Sequence, residues 1–260
     1  MSDKAVGIGL CGLGTVGSGT FNVLDRNAME ISARAQASIR LVHVGARRDN
    51  PQCELGDLRV SRDIFDVARD PQVDILVELI GGTTTARELV EEAIRNGKHV
   101  VTANKALIAE FGNEIFALAE EHGVTVRYEA AVAGGIPIIK ALREGLAGNR
   151  IEWLAGIING TGNFILSEMR DKGRDFSDVL AEAQELGDAE ADPTFDVEGI
   201  DAAHKLVILA SLAFGMPLKF SSVYTEGITR LTPQDVEYAE ELGYRIKHLG
   251  VAKQNGNGVE

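Results

Sequence analysis

Short apolar runs alternating with amphipathic stretches organise the first half of the chain. Val6–Cys11 is an apolar and glycine run that breaks at Gly12. A run this short, bounded by glycine, reads as a strand buried on both faces. The helix-spaced set Val16, Val23, Leu24 and Ile31 follows. Ile39–Ala46 predicts a second strand, followed by a polar loop through Asn50-Pro51, and Val73–Ile80 predicts a third. A helix over Ala86–Arg95, a strand over Lys98–Thr102, a helix over Lys105–Glu121 and a strand over Val124–Glu129 complete the series, with Asn104 placed to cap the second helix. Strands and helices in this alternation predict a parallel sheet covered by helices on both faces.

The pattern changes near residue 130, taken as a domain boundary good to about five residues. Ile136–Leu146 reads as a helix with Pro137 in its first turn, where a missing N–H costs little. Trp153–Ile158 reads as a strand and Asn159-Gly-Thr-Gly-Asn163 as a turn or site loop. Helices follow over Ile165–Arg170, Ser177–Leu186 and Ile200–Phe214. Tyr244–Ala252 reads as a strand, Asn255-Gly256 as a hairpin turn and Val259-Glu260 as the start of a returning strand, which suggests a piece of something longer.

Composition narrows the partners. The 260 residues carry a net charge of −13, which argues against nucleic acid and anionic membrane surfaces. The N-terminal residues lead to the expectation of no signal peptide, and no apolar run of this sequence reaches membrane length. The two cysteines, Cys11 and Cys53, lack C-x-x-C spacing and fit a reduced, cytoplasmic protein.

Gly12-Leu13-Gly14-Thr15-Val16-Gly17 matches G-x-G-x-x-G directly after the first strand and at the opening of a helix. In that setting the glycines allow a tight turn and bring backbone N–H groups against a pyrophosphate. The second strand runs into Ala46-Arg47-Arg48. An acid at its end would hold the ribose hydroxyls of NAD, whereas Arg47 suits the 2′-phosphate of NADP; NADP is the expected cofactor, with NAD left open. Lys105 lies at the carboxyl end of a strand, where open α/β sheets place ligands.

Asp201 and Lys205 stand four residues apart in an otherwise apolar helix, sharing a face with Ile208 and Leu212. On a solvated helix such a pair contributes only about 0.2–0.5 kcal/mol. Drawn into a mostly buried helix, each ion has a desolvation cost of roughly several kcal/mol, which points to a task such as proton transfer. The acidic loop ahead holds Glu190, Asp192 and Asp196 with no lysine or arginine between Arg174 and Lys205. It reads as a solvated loop or as a carboxylate pocket for a cationic group; the calcium-loop pattern fails at Pro193 and Gly199. The five histidines show no zinc spacing, His204 reads as structural, and Trp153 as core or interface.

These residues together resemble homoserine dehydrogenase over essentially the whole chain. The matching segments are Gly12–Gly17, Thr102-Ala-Asn-Lys-Ala-Leu-Ile108, Tyr128-Glu-Ala-Ala-Val-Ala-Gly-Gly-Ile-Pro137, Asn159-Gly-Thr-Gly-Asn-Phe-Ile165 and 187–205. The resemblance implies NAD(P)H-dependent reduction of L-aspartate 4-semialdehyde to L-homoserine, on the route to threonine, isoleucine and methionine. It implies Lys205 as proton donor held by Asp201, and Glu190, Asp196 and Lys105 against the substrate. Lys105 and Gly187 would lie beside the cofactor. A monovalent cation, sodium by the family's habit, would sit on Glu129 and the carbonyls of Val132, Gly134 and Ile136. The family carries Ser or Thr where this chain has Gly162, and its members continue past residue 260. The expected architecture is α/β: a Rossmann-like parallel-sheet domain over 1–130, then an α+β substrate and dimerisation domain over 131–260, assembled as a homodimer. A different two-domain amino-acid dehydrogenase and a nucleotide-binding fragment without activity stand as alternatives.

Overall fold

The computed structural model describes residues 5–186, 189, 192–256 and 258–260. They fall into two compact units that meet between Pro137 and Ile138.

The first unit is a six-stranded sheet, β3-β2-β1-β4-β5-β6, parallel throughout. Its strands are β1 (Val6–Cys11), β2 (Ile39–Gly45), β3 (Arg59–Ser61), β4 (Ile75–Glu78), β5 (His99–Thr102) and β6 (Val126–Arg127). The helices between them are α1 (Thr15–Arg26), α2 (Ala28–Ala35), α3 (Phe65–Arg69), α4 (Thr84–Arg95) and α5 (Lys105–Glu121). β1 and β4 bury nearly every residue because helices cover both faces. α4 shows the matching one-sided pattern, burying Ala86, Leu89, Val90, Ala93 and Ile94. α5 starts where expected: Asn104 Oδ1 accepts the Leu107 N–H at 3.1 Å.

Three features depart from the expectation. β3 joins the sheet although Arg-Val-Ser offers no periodicity; pairing with His43–Gly45 of β2 makes it a strand. The first helical stretch breaks at Asn27, whose φ of −108° and ψ of 22° separate α1 from α2. β6 keeps only two residues of Val124–Glu129, because Glu129–Ala131 tighten into a 3₁₀ turn with Ala131 N–H on Tyr128 O.

A buried polar knot fixes β3. His43 Nδ1 and Arg59 Nη1 lie 2.8 and 2.9 Å from Asp70 Oδ2, and His43 Nε2 lies 2.8 Å from Ser61 Oγ. Burial pushes the Asp70 carboxyl up, but the Gln72 N–H, the His43 ring and the Arg59 guanidinium outweigh it and hold the group below its ordinary range. A depressed carboxyl stabilises the fold above its unfolded pKa, and that stabilisation is lost as pH falls through the folded value. In urea melts the stability gap between wild type and Asp70→Asn should be full at neutral pH and close below about pH 4. A gap that persists unchanged into acid would show that the charge does not matter.

The second unit contains α6 (Ile138–Lys140), β7 (Trp153–Gly156), α7 (Gly160–Lys172), α8 (Phe176–Leu186), α9 (Thr194–Val197), α10 (Ile200–Phe214), α11 (Pro233–Glu241), β8 (Gly250–Asn255) and β9 (Gly258–Val259). The strands form an antiparallel sheet, β7-β8-β9. β8 packs against α10, whose buried face includes Asp201, His204, Val207 and Ile208. A second cluster, Ile165, Leu166, Met169, Val179, Val197, Ile228 and Val236, joins α7, α8, α9 and α11.

Here the expected elements shift more. The helix expected over Ile136–Leu146 is one α-turn, then a π-turn over Ala141–Gly145 closed by Leu146 N–H on Ala141 O. The expected turn Asn159–Asn163 is the start of α7: Asn159 Oδ1 caps the Gly162 N–H at 2.8 Å, which lets two glycines stand in a first turn. The strand expected over Tyr244–Ala252 begins only at Gly250, where β7 supplies a partner. Among the described residues no helix is long and apolar enough to cross a membrane.

Candidate functional site

In the first unit, β1 ends at Cys11 and the chain turns through Gly12, whose φ of 102° suits glycine. A Cβ on Gly12 would lie 2.5 Å from Leu79 O, and one on Gly17 would lie 2.0 Å from Gly12 O. At Gly14 a Cβ would meet nothing within 4 Å. Two glycines are therefore imposed by close backbone approach, and the middle one leaves open space where a ligand can approach. Gly14 is the N-cap of α1 and no side chain caps that end, so its N–H groups face outward beside exposed Thr15 and Val16. Leu13 is buried, and its carbonyl accepts Asn50 Nδ2 at 2.8 Å, which ties the loop after β2 to the glycine turn.

Arg47 and Arg48 are exposed in that loop and have no side-chain partner among the described residues. The neighbouring acid is already paired: Arg62 Nη2 holds both Asp49 oxygens at 3.0 Å. Lys105, half-buried, opens α5 at the carboxyl end of β5. Asn104 beside it donates to Gly82 O at 2.6 Å.

The bend expected to hold a cation carries Glu129, half-buried, at the head of its 3₁₀ turn. Val132 is extended, Ala133 (φ 50°) and Gly135 (φ 87°) are left-handed, and Ile136 N–H bonds Ala133 O at 2.8 Å. A carboxylate and carbonyls of an irregular bend are the donors a hard cation takes.

In the second unit, α9 and α10 present Asp196 and Asp201 to one amide, and Asp201 also takes Lys205. Lys205 Nζ donates to Asp201 Oδ2 at 2.6 Å and to Ile158 O at 2.7 Å. Asn159 Nδ2 donates to Asp201 Oδ2 at 2.9 Å and to Asp196 Oδ1 at 2.7 Å. The Asp201 side chain is 5% exposed and the Lys205 side chain 20%, so the acid is sealed while the amine reaches solvent. An ammonium has three N–H bonds, and among the described residues two are used, which leaves one to donate. Two carboxylates held by one neutral amide, with a single lysine on Asp201, also favour a second cation.

Asn159, expected only as part of a turn or site loop, stands at the centre of this cluster. It is 3% exposed and uses every polar atom of its side chain: two N–H donors to the carboxylates and an oxygen on the Gly162 N–H. Its carbonyl takes Asn163 Nδ2 at 3.0 Å, and Asn163 in turn exchanges hydrogen bonds with the His248 backbone at 2.9 Å. Asparagine before a glycine and three residues ahead of an N–H is a capping signal; the second use of the amide is visible only once α9 and α10 are in place. A Cβ at Gly162 would sit 3.2 Å from Asn159 Oδ1, which explains how glycine is accommodated there.

The expected Gly187 and Glu190 lie outside the described residues. His204 packs between the rings of Phe195 and Phe220, 5.3 and 4.2 Å between centroids. Trp153 is 62% exposed on β7.

Comparison with known proteins gives a consistent set. A homoserine dehydrogenase NAD-binding-domain profile matches residues 12–129, and a homoserine dehydrogenase profile matches 137–259. The chain is 70% identical to the homoserine dehydrogenase of Pseudomonas aeruginosa over 99% of its own length and 59% of that relative's. It superposes on the crystal structure of a homoserine dehydrogenase from Thiobacillus denitrificans with a TM-score of 0.95 and 65% identity, covering 98% of this chain and 60% of that one. A hyperthermophilic archaeal homoserine dehydrogenase in complex with NADPH matches with a TM-score of 0.79 and 26% identity, covering 98% of this chain and 80% of that one. The chain thus spans about 59% of the length of the Pseudomonas relative.

Proposed function

From the homoserine dehydrogenase family, to which this chain belongs, we propose that it carries the machinery for NAD(P)H-dependent reduction of L-aspartate 4-semialdehyde to L-homoserine. The product would feed threonine, isoleucine and methionine synthesis. The observation that carries the reading is the Lys205–Asp201–Asn159–Asp196 cluster. It offers one spare ammonium proton next to a carboxylate pair suited to a substrate ammonium.

The nicotinamide, when bound, supplies hydride to the aldehyde carbon. Lys205 Nζ donates its third proton to the oxygen as alkoxide charge develops, so hydride plus proton convert C=O to CH–OH. Asp201 orients the amine together with Ile158 O. Asp196, with Glu190 of the same acidic loop, holds the substrate's cationic group, and Lys105, at the start of α5, contacts cofactor and substrate. Gly12 to Gly17 would take the pyrophosphate and Arg47 the 2′-phosphate. NADP is favoured because Arg62 already neutralises Asp49, the acid that would repel that phosphate. Glu129 and the carbonyls of Val132, Gly134 and Ile136 would hold a monovalent cation.

The test is loss of NADPH absorbance with aspartate semialdehyde, run in parallel with NADH. Consumption faster with NADPH supports the reading. NADPH that binds without being consumed would favour a nucleotide-binding fragment instead.

A homodimer is the assembly proposed, and the outer face of the β7-β8 sheet supports it. Trp153, Ile157, Leu249 and Val251 are 50% to 62% exposed there, while Ala252 is buried on the opposite side. A contiguous apolar face of this kind marks an interface. Trp153→Glu should convert a dimer to monomer in gel filtration with light scattering. A wild type that runs as a monomer at micromolar concentration would dismiss the assignment. The buried free thiols of Cys11 and Cys53 suit a reducing compartment, the cytoplasm.

A further inference from the structure

Glu78 has no part in the mechanism above, yet it stands where the sheet changes direction. Strand order reverses between β1 and β4, the crevice at which open α/β sheets receive ligands. Glu78 ends β4 there, in register with Cys11 at the end of β1 and Thr102 at the end of β5. Its side chain is wholly buried. Oε1 accepts the N–H groups of Ile80 and Gly81 at 2.9 and 3.2 Å, and Oε2 accepts the Thr102 hydroxyl. Thr102 Oγ1 in turn accepts the Asn104 N–H at 2.9 Å. All three donors to Glu78 are neutral, so the carboxylate is solvated by dipoles and keeps its field. In a poorly screened interior that field reaches further than a surface charge would.

We propose that Glu78 selects the redox state of the cofactor: its charge favours the oxidised nicotinamide, which is cationic, over the reduced ring, which is neutral. This rests on the nicotinamide-cofactor reading of the first unit. Hydride departure creates positive charge on the ring, so the same field assists reduction of the substrate and binds the oxidised product cofactor more tightly. A purely structural Glu78, shaping the left-handed turn at Gly81 and Gly82 (φ 73° and 72°), would affect both redox forms alike.

Calorimetric titration of NADP⁺ and of NADPH separates the two roles. In Glu78→Gln the amide oxygen keeps the backbone N–H groups and the amide nitrogen can donate to Thr102 Oγ1, so the shape survives while the charge goes. The ratio of Kd for NADP⁺ to Kd for NADPH should rise about tenfold, equivalent to ~1.4 kcal/mol. Glu78→Asp keeps the charge and should keep the ratio, even if both affinities fall. Equal weakening of both forms in Glu78→Gln, with the ratio unchanged, overturns the proposal. If Glu78→Gln does not fold, the ratio is read in Glu78→Asn against Glu78→Asp, a pair of equal size that differs in charge and keeps an oxygen acceptor in both members. Wild type that binds neither form, nor the NAD⁺/NADH pair, would overturn the cofactor reading itself and the proposal with it.

Discussion

Lys205→Ala is expected to lower kcat for aspartate semialdehyde reduction by about 10²- to 10⁴-fold, the usual contribution of a positioned general acid, while NADPH affinity stays at the wild-type value. Among the described residues the amine donates to Asp201 and Ile158 O, both in the second unit, whereas the glycine turn lies in the first. The substitution also strips Asp201 of its cation, so a melting curve must show that the variant is folded before its rate is interpreted. Lys205→Arg sharpens the test. Arginine preserves an ion pair with Asp201 but is a far weaker acid and a different shape, so it should restore stability without restoring turnover. Turnover at wild-type level in either variant, measured at saturating substrate, would remove Lys205 from the chemistry.

Asn159 should come next in effect. Asn159→Ala removes two donors to carboxylates and an N-cap, and a hydrogen bond to a charged group contributes roughly 1.5–3 kcal/mol. The expected loss in kcat/KM is about 10- to 100-fold, with a drop of about 1 kcal/mol in stability from the cap. Asn159→Asp divides these roles. Its carboxylate can still accept the Gly162 N–H, but it sets a third acid against Asp196 and Asp201. If capping were the whole role, Asn159→Asp would restore the rate. The bridging role instead requires that it be at least as slow as Asn159→Ala.

The parallel sheet was legible because strands buried on both faces leave unbroken apolar runs. Val6–Cys11 and Ile75–Val77 are written that way, and α4 and α5 carry their own faces and, for α5, a cap. β3 was illegible: with one apolar residue between Arg59 and Ser61, its conformation comes from β2. α11 was legible and overlooked, since Thr232-Pro-Gln-Asp235 is a capping box with proline at the first helical position. The π-turn over Ala141–Gly145 had no local signal to read.

Local chemistry along the chain determined the glycine turn after β1, the helix that pairs Asp201 with Lys205, and the alternation that makes the first unit a parallel sheet. Each of these depends on residues close enough in sequence to constrain one another. Tertiary structure alone decided the rest. It brought Asn159 across forty-two positions to Asp201 and thirty-seven to Asp196. It buried Glu78 among neutral donors at the switch point, and it left Trp153 on an open face. Hydrogen-bond donors and exposure are properties of what lies opposite a side chain in space, and one-dimensional spacing does not encode them until the elements have packed.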